Sequence, residues 1–334
     1  MFEALLLRQT DGGISAAVES LDEDDLPEGD VLVSILYSSL NYKDALAVTG
    51  RGKIIRGAYP FVPGIDFVGT VVESASREFQ PGQLVLATGW GLGENHWGGY
   101  SQLQRVSGAW LVHLPSRMDP LMAMAVGTAG LTAMLSVVTL QEHSVHAEMG
   151  EVVVTGASGG VGSLSVLLLS KLGYKVVAST GSGDAHDYLR SLGASSIIDR
   201  AELAAGPARP MESARWAGAV DTVGGKSLAS ILASMQRHGS VASCGLAEDH
   251  ELHTTVFPFI LRGVNLLGID SNTCPPHRRR AAWERLADLV TQDDVRRISR
   301  TIPLADVPRE SEALLDNRIR GRIVVDVGSE GSSQ

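Results

Sequence analysis

Apolar positions along this chain fall into two textures that change near Leu121. Before it, short apolar and β-branched runs are separated by polar turns: Asp30 to Ile35, Gly69 to Glu73, Leu84-Val85-Leu86 after the turn Pro81-Gly82, and Trp110-Leu111-Val112. Runs of this kind predict the strands of a small, irregular β domain. After it, apolar strand-like runs alternate with helical stretches: Val152 to Thr155, Val176 to Thr180, Ala219 to Thr222, Val241 to Cys244 and Asn265 to Ile269. That alternation predicts an α/β domain with a doubly wound parallel sheet of the Rossmann kind. A helix is expected from about Arg278 to Val290, and Arg322 to Val327 predicts a terminal strand that returns to the first domain. Gly328 to Gln334 is small and polar and is expected to be a disordered tail.

Leu121 to Leu140 carries no charged residue over twenty positions, the length of a membrane span. Its glycines, threonines, serine and alanines dilute the apolarity and nothing basic clusters beside it, so a buried helix at a domain junction is expected.

Val152 to Gly162 reads Val-Val-Val-Thr-Gly-Ala-Ser-Gly-Gly-Val-Gly and leads into the apolar stretch Leu164 to Leu169, which predicts strand, glycine-rich turn and helix. Side chains would hold the backbone away from a pyrophosphate, and the helix start offers unpaired N–H groups and partial positive charge. Ala157 takes the first glycine place of the G-x-G-x-x-G pattern, while Gly159 and Gly162 fill the second and third. Lys175 to Thr180 follows as the second strand of a βαβ unit, and together they predict a dinucleotide site.

A site selective for NAD usually ends that second strand with Asp or Glu, which binds the ribose hydroxyls and repels a 2′-phosphate. Here it ends Ser179-Thr180-Gly181-Ser182, with Arg200 after the next apolar segment Ser196-Ile197-Ile198. Small donors and a nearby cation favour NADPH (NADP when oxidised). Asp184 and Asp199 are the competing ribose partners.

The 334 residues are enough for two domains that each bury a core; 44% are hydrophobic and 20% charged, as in a soluble globular protein. A net charge of −10 argues against nucleic acid or an anionic membrane as the main partner. Two cysteines, Cys244 and Cys274, and no secretory segment at the N-terminus predict a reducing cytoplasm.

Asn41-Tyr42-Lys43-Asp44, Gly52-Lys53-Ile54-Ile55-Arg56, Pro63-Gly64-Ile65-Asp66, Gly89-Trp90-Gly91 and Gly93-Glu94-Asn95-His96-Trp97-Gly98-Gly99 resemble the zinc-free, quinone-oxidoreductase-like branch of the medium-chain dehydrogenase/reductases. Within it they are similar to the acrylyl-CoA reductases, and the likeness runs from Leu5 to Val325. The resemblance implies a GroES-like catalytic domain at 1–122 and 272–334 around a Rossmann domain at 123–271. It also implies NADPH-dependent reduction of acrylyl-CoA to propionyl-CoA. A general NADPH quinone or enone reductase, and a catalytically idle nucleotide-binding sensor, are the other readings.

Zinc enzymes of this superfamily hold the metal with a Cys in the early loop, a His-Glu pair and a further Cys or acid. Here the early loop offers Asn41 to Asp44, the His-Glu element is Ile65-Asp66, and neither cysteine lies in residues 1–122; only His96 and His113 remain there. No metal is expected.

The resemblance puts Tyr42 at the nicotinamide, in the loop where the zinc enzymes place their first ligand. Asn41 and Asp44 are candidates to fix that loop or polarise substrate, and Lys43 to meet an anion. Ser158, Gly159, Gly160 and Val161 match the pyrophosphate turn. Thr180, Gly181 and Ser182 match the ribose contacts, Ser182 standing where close relatives tend to carry Arg, which leaves Arg200 more of the task. Leu246, Ile260 and Ser271 match segments lining the nicotinamide half, and Asn317 matches the family's last contact. His277-Arg278-Arg279-Arg280 is a candidate for the phosphates of a CoA thioester, because a helix N-terminus disfavours cations. Asn265 to Ile269 resembles the edge strand through which relatives pair, so a homodimer is expected.

Overall fold

The computed structural model describes residues 1–328, so the expected disordered tail lies, from residue 329 on, outside the described residues. The chain divides into two compact units, one formed by residues 1–128 with 291–334 and the other by 129–290. The expected second crossing at 271/272 comes earlier than this division. Helix Pro276–Leu289 falls in the second unit, where Arg278 donates to Thr139 Oγ1 at 3.2 Å and pairs with Glu142 at 2.8 Å.

In the first unit a seven-stranded sheet runs in the order Ser299–Pro303, Arg322–Asp326, Val31–Leu40, Asp66–Ser74, Leu84–Thr88 and Leu111–His113, with Leu103–Val106 also on Val31–Leu40. The apolar run after Arg322 returns as predicted: Ile323 opposes Leu40 and Val325 opposes Ser38 in an antiparallel pair. A hairpin, Phe2–Thr10 with Gly13–Leu21, covers the sheet through Leu5, Leu6 and Leu7, which pack with Val33, Ile35, Phe67, Val85 and Val325. The hairpin has no counterpart in the sequence reading, because the residues of Gly13–Leu21 are mostly half-buried or exposed and give little apolar contrast.

The second unit is a six-stranded, all-parallel sheet in the order Ser196–Asp199, Lys175–Thr180, Glu151–Val154, Trp216–Asp221, Met235–Ser243 and Asn265–Gly268. Numbered along the chain this is the 3-2-1-4-5-6 order of a dinucleotide fold. Strands covered on both faces read as unbroken apolar runs, and Val152, Val153, Val154, Val176 and Val177 are fully buried.

The charge-free stretch forms helix Pro120–Glu142, long and apolar enough to cross a membrane by length and composition, but mostly buried inside the protein. It breaks at Gly127, whose φ of 50° and ψ of −156° are not helical. A Cβ there would stand 2.8 Å from Asp66 Oδ2, 2.8 Å from Ser39 Oγ and 2.9 Å from Arg322 Nη2, so only glycine fits. Two backbone groups that an unbroken helix would pair internally find partners outside it. The Thr128 N–H donates to Asp66 Oδ2 at 2.8 Å, and the Ala125 carbonyl accepts from Arg322 Nε at 3.2 Å.

Candidate active site

In the second unit the predicted residues gather at the carboxyl ends of the strands, where open parallel sheets bind ligands. Ser158, Gly159, Gly160 and Val161 follow the first strand; Gly159 is the N-cap of helix Gly160–Lys171. The neighbouring glycines are needed for packing: a Cβ at Gly162 would meet Ala157 Cα at 2.7 Å, and one at Gly156 would collide with Thr222 Oγ1. Gly159 differs. A Cβ built there meets only the Gly156 carbonyl, at 3.3 Å, so the space it leaves open faces outward, as a cradle for a pyrophosphate requires.

Thr180 ends the second strand, and its Oγ1 lies 3.3 Å from Ser158 Oγ and accepts from the Ser182 N–H at 3.2 Å, tying this strand end to the glycine turn. Gly181 lets Arg200 lie across this strand end: a Cβ at 181 would stand 2.5 Å from Arg200 Nε and 2.7 Å from its Cδ. Among the described residues the exposed Arg200 has no ion-pair partner. Asp199 is committed elsewhere, its carboxylate accepting from the Ala201 N–H at 2.8 Å as a helix cap. Asp184 is exposed in a short helical turn. The donor set suits a 2′-phosphate.

Between the first and fourth strands, the switch point is stapled by Thr155, which donates to Asp221 Oδ1 at 2.8 Å and accepts from the Thr222 N–H at 2.9 Å. Leu246 follows the fifth strand and is 66% exposed; Ser271 follows the sixth and accepts from Thr132 Oγ1 at 2.8 Å. Ile260 sits on helix Phe257–Arg262, 68% exposed. Cys244 is held at Asp221 O, and burial together with the Asp221 charge pushes its thiol up to about 12, so it is no nucleophile.

Within the arginine cluster, Arg278 and Arg279 are bonded inside the protein, while His277 and Arg280 are exposed. Arg279 is buried with its guanidinium donating to the carbonyls of Ser271 and Asn272, both at 3.0 Å, and Arg278 is paired with Glu142. The cations at this helix start serve nearby carbonyls and a carboxylate, which offsets their unfavourable place in the helix field.

In the first unit Asn41 is the N-cap of helix Tyr42–Thr49, and Asp44 closes the cap. Asp44 Oδ2 accepts from the Asn41 N–H at 3.0 Å and from Asn41 Nδ2 at 3.1 Å, while Oδ1 accepts from the Ile65 N–H at 2.9 Å. Both residues are buried, whereas Tyr42 is 51% exposed. Asn41 and Asp44 therefore fix the loop, and Tyr42 projects from it. Lys43 Nζ is paired with the nearly buried Glu94 at 2.8 Å, so its charge is already met. Asn317 ends helix Val307–Leu315 in the left-handed region, at φ 57°.

Beneath the loop lies a buried network that the sequence reading did not single out. Asp66 accepts from Ser39 Oγ at 2.8 Å, Asn41 Nδ2 at 3.2 Å and the Thr128 N–H. Arg322 donates to Ser39 Oγ at 2.6 Å and to the Leu40 carbonyl at 3.2 Å, and Tyr100 donates to the Ser39 carbonyl at 3.1 Å. Burial, reinforced by the Asp66 charge, raises Asp44 from 3.8 to about 7 against its three donors; burial and both carboxylates also raise Tyr100.

A raised acid binds its proton in the folded state when the unfolded chain has lost it. The contribution is therefore fully present below pH 3.8 and fades as pH rises to about 7. Urea unfolding of Asp44→Asn at a series of pH values between these limits is expected to lack this part of the wild-type decline in stability. An unchanged slope would contradict the assignment.

The donor set does not fit zinc. The early loop Asn41 to Asp44 and the element Gly64-Ile65-Asp66 carry neither Cys nor His, and among the described residues no group of three or more His, Cys, Asp or Glu is placed to hold a metal ion.

The alcohol dehydrogenase GroES-like domain family matches residues 27–116, and the zinc-binding dehydrogenase family matches residues 160–292. The chain belongs to the medium-chain dehydrogenase/reductases, in their zinc-free, quinone-oxidoreductase-like branch. It is 54% identical to the probable acrylyl-CoA reductase AcuI of Escherichia coli K12, over 97% of this chain and 99% of that one. It is 48% identical to the acrylyl-CoA reductase AcuI of Ruegeria pomeroyi, over 98% and 100%. Two solved structures superpose over 97% of this chain. Escherichia coli K-12 YhdH with bound NADPH is 54% identical, matched over 100% of its length with TM-score 0.95. Bacillus subtilis YhfP with NAD bound is 45% identical, matched over 99% with TM-score 0.94.

Proposed function

We propose that this chain catalyses the NADPH-dependent reduction of an activated carbon–carbon double bond, taking acrylyl-CoA to propionyl-CoA. The observation that carries this reading is the 48–54% identity, over nearly the full length of both partners, to two proteins named as acrylyl-CoA reductases. When bound, NADPH supplies a hydride to the β-carbon of the thioester-polarised alkene, and the α-carbon takes a proton.

In this reading Ser158, Gly159, Gly160 and Val161 hold the pyrophosphate through backbone N–H groups at a helix start. Thr180, Gly181 and Ser182 receive the ribose, and Arg200 neutralises its 2′-phosphate. Leu246, Ile260, Ser271 and Asn317 line the nicotinamide half. Tyr42 sets the nicotinamide end, and Asn41 and Asp44 keep the start of its helix rigid, so that alignment and exclusion of water do most of the catalysis. With NADPH deuterated at the transferable position, mass spectrometry of the product is expected to place the label on the β-carbon. Label on the α-carbon, or none, would overturn the mechanism.

We extend the reading to a cytoplasmic homodimer. Cys244 and Cys274 are both free thiols, as a reducing compartment allows. Asn265–Gly268 is the last strand of its sheet, and Val256, Phe257, Ile260, Leu261 and Leu266 around it are 38–68% exposed. An open edge beside an apolar patch invites strand pairing with a second copy. Wild type is expected at dimer mass by light scattering, and a Leu261→Asp, Leu266→Lys variant at monomer mass. A monomeric wild type would refute the dimer.

A further inference from the structure

Trp90 is held in a backbone conformation that bulky side chains avoid, and nothing in the roles assigned above uses it. Its φ is 59°, between Gly89 at 74° and Gly91 at 79°, with Gly93 at 69°. Glycine takes such angles freely, whereas for tryptophan they are a strained outlier that the surroundings must enforce. The enforcement is visible. Asn95 lies against Gly91, and the Gly91 carbonyl accepts from the N–H groups of Glu94, Asn95 and His96 at 3.1, 3.0 and 3.2 Å.

Both ends of this loop are tied to the element that carries Tyr42. On entry, the Gly89 N–H donates to the Ile65 carbonyl at 3.1 Å, and the Ile65 N–H donates to Asp44 at 2.9 Å. On exit, Glu94 is paired with Lys43 at 2.8 Å. The preceding strand residue, Thr88, opposes Asp66, whose carboxylate accepts from Asn41. The loop that carries the half-buried Trp90 is thus tied to the helix of Tyr42 through Asp44 on one side and Lys43 on the other, the two residues that follow Tyr42 in that helix.

We propose that Trp90 is a specificity-determining residue, a rigid flat wall that accepts the planar enoyl thioester and limits substitution at its β-carbon. This rests on the reaction proposed above. A planar conjugated acyl group suits the face of an indole, and a wall held by strain and two tethers yields little to an added methyl group.

The test compares kcat/KM for acrylyl-CoA and for its β-methyl homologue in wild type, Trp90→Phe and Trp90→Gly, with NADPH affinity and thermal midpoint measured alongside. Trp90→Gly relieves the backbone strain but gives up buried indole surface, so its midpoint serves to show that it folds, while the homologue-to-acrylyl ratio is expected to rise about tenfold or more. Trp90→Phe keeps a ring with less reach and is expected between the two. An unchanged ratio in a variant with wild-type NADPH affinity would overturn the role of Trp90 and leave the reaction standing. If Trp90→Gly does not fold, the ratio in Trp90→Phe decides alone. Absence of acrylyl-CoA turnover by wild type would overturn the reaction and the proposal with it.

Discussion

Arg322→Met is expected to destabilise the protein by about 3–5 kcal/mol, because it strips the cation from a buried network and leaves its partners behind. Arg322 is 4% exposed and Asp66 fully buried. The substitution removes the guanidinium donor from the carbonyls of Ala125 and Leu40 and from the Ser39 hydroxyl, which still bonds Asp66 but no longer links it to a cation. Denaturant unfolding measures the loss. In an Asp66→Asn, Arg322→Met double variant the two costs are expected to fall short of their sum, since the second change removes a charge that the first left uncompensated. A loss below about 1 kcal/mol for Arg322→Met would mean that the network is not sustained by its charge.

Arg200→Ala is expected to weaken NADPH binding by about ten- to a hundredfold while leaving NADH binding nearly unchanged. Charge-assisted hydrogen bonds of this kind contribute about 1.5–3 kcal/mol, and each 1.4 kcal/mol is tenfold in affinity. The arginine lies across Gly181 without an ion-pair partner among the described residues, so little else is lost with it. Titration of the variant with both cofactors reads the selectivity directly. Equal weakening for NADH and NADPH would assign Arg200 a structural task instead.

The Rossmann sheet was legible because its strands are buried on both faces, so Val152 to Val154 and Val176 to Ala178 stand out as apolar runs between helices. The glycine-rich turn was legible as a turn because Gly156 and Gly162 leave no room for a side chain within the fold. The break at Gly127 was not, since a glycine in a small-residue stretch looks the same whether or not the helix bends. Its cause lies far along the chain, in Asp66 and Arg322. Arg322 did carry a signal, a charge opening the apolar strand Ile323 to Val325, yet sequence alone gives such a residue no partner. Arg279 shows the reverse: a residue that reads as part of a surface cationic cluster is buried and donates to backbone carbonyls.

Loss of reduced-nicotinamide absorbance on mixing with acrylyl-CoA reports the proposed reduction as it happens. The assay is run with NADPH and NADH, and again with a CoA-free enone and a quinone in place of the thioester. Fast oxidation of NADPH by acrylyl-CoA, with slow oxidation by the CoA-free acceptors and slow turnover of NADH, is the predicted result. Equal or faster rates with the enone or quinone would contradict it in favour of a general reductase. Tight NADPH binding without oxidation by any acceptor would contradict it in favour of a nucleotide sensor.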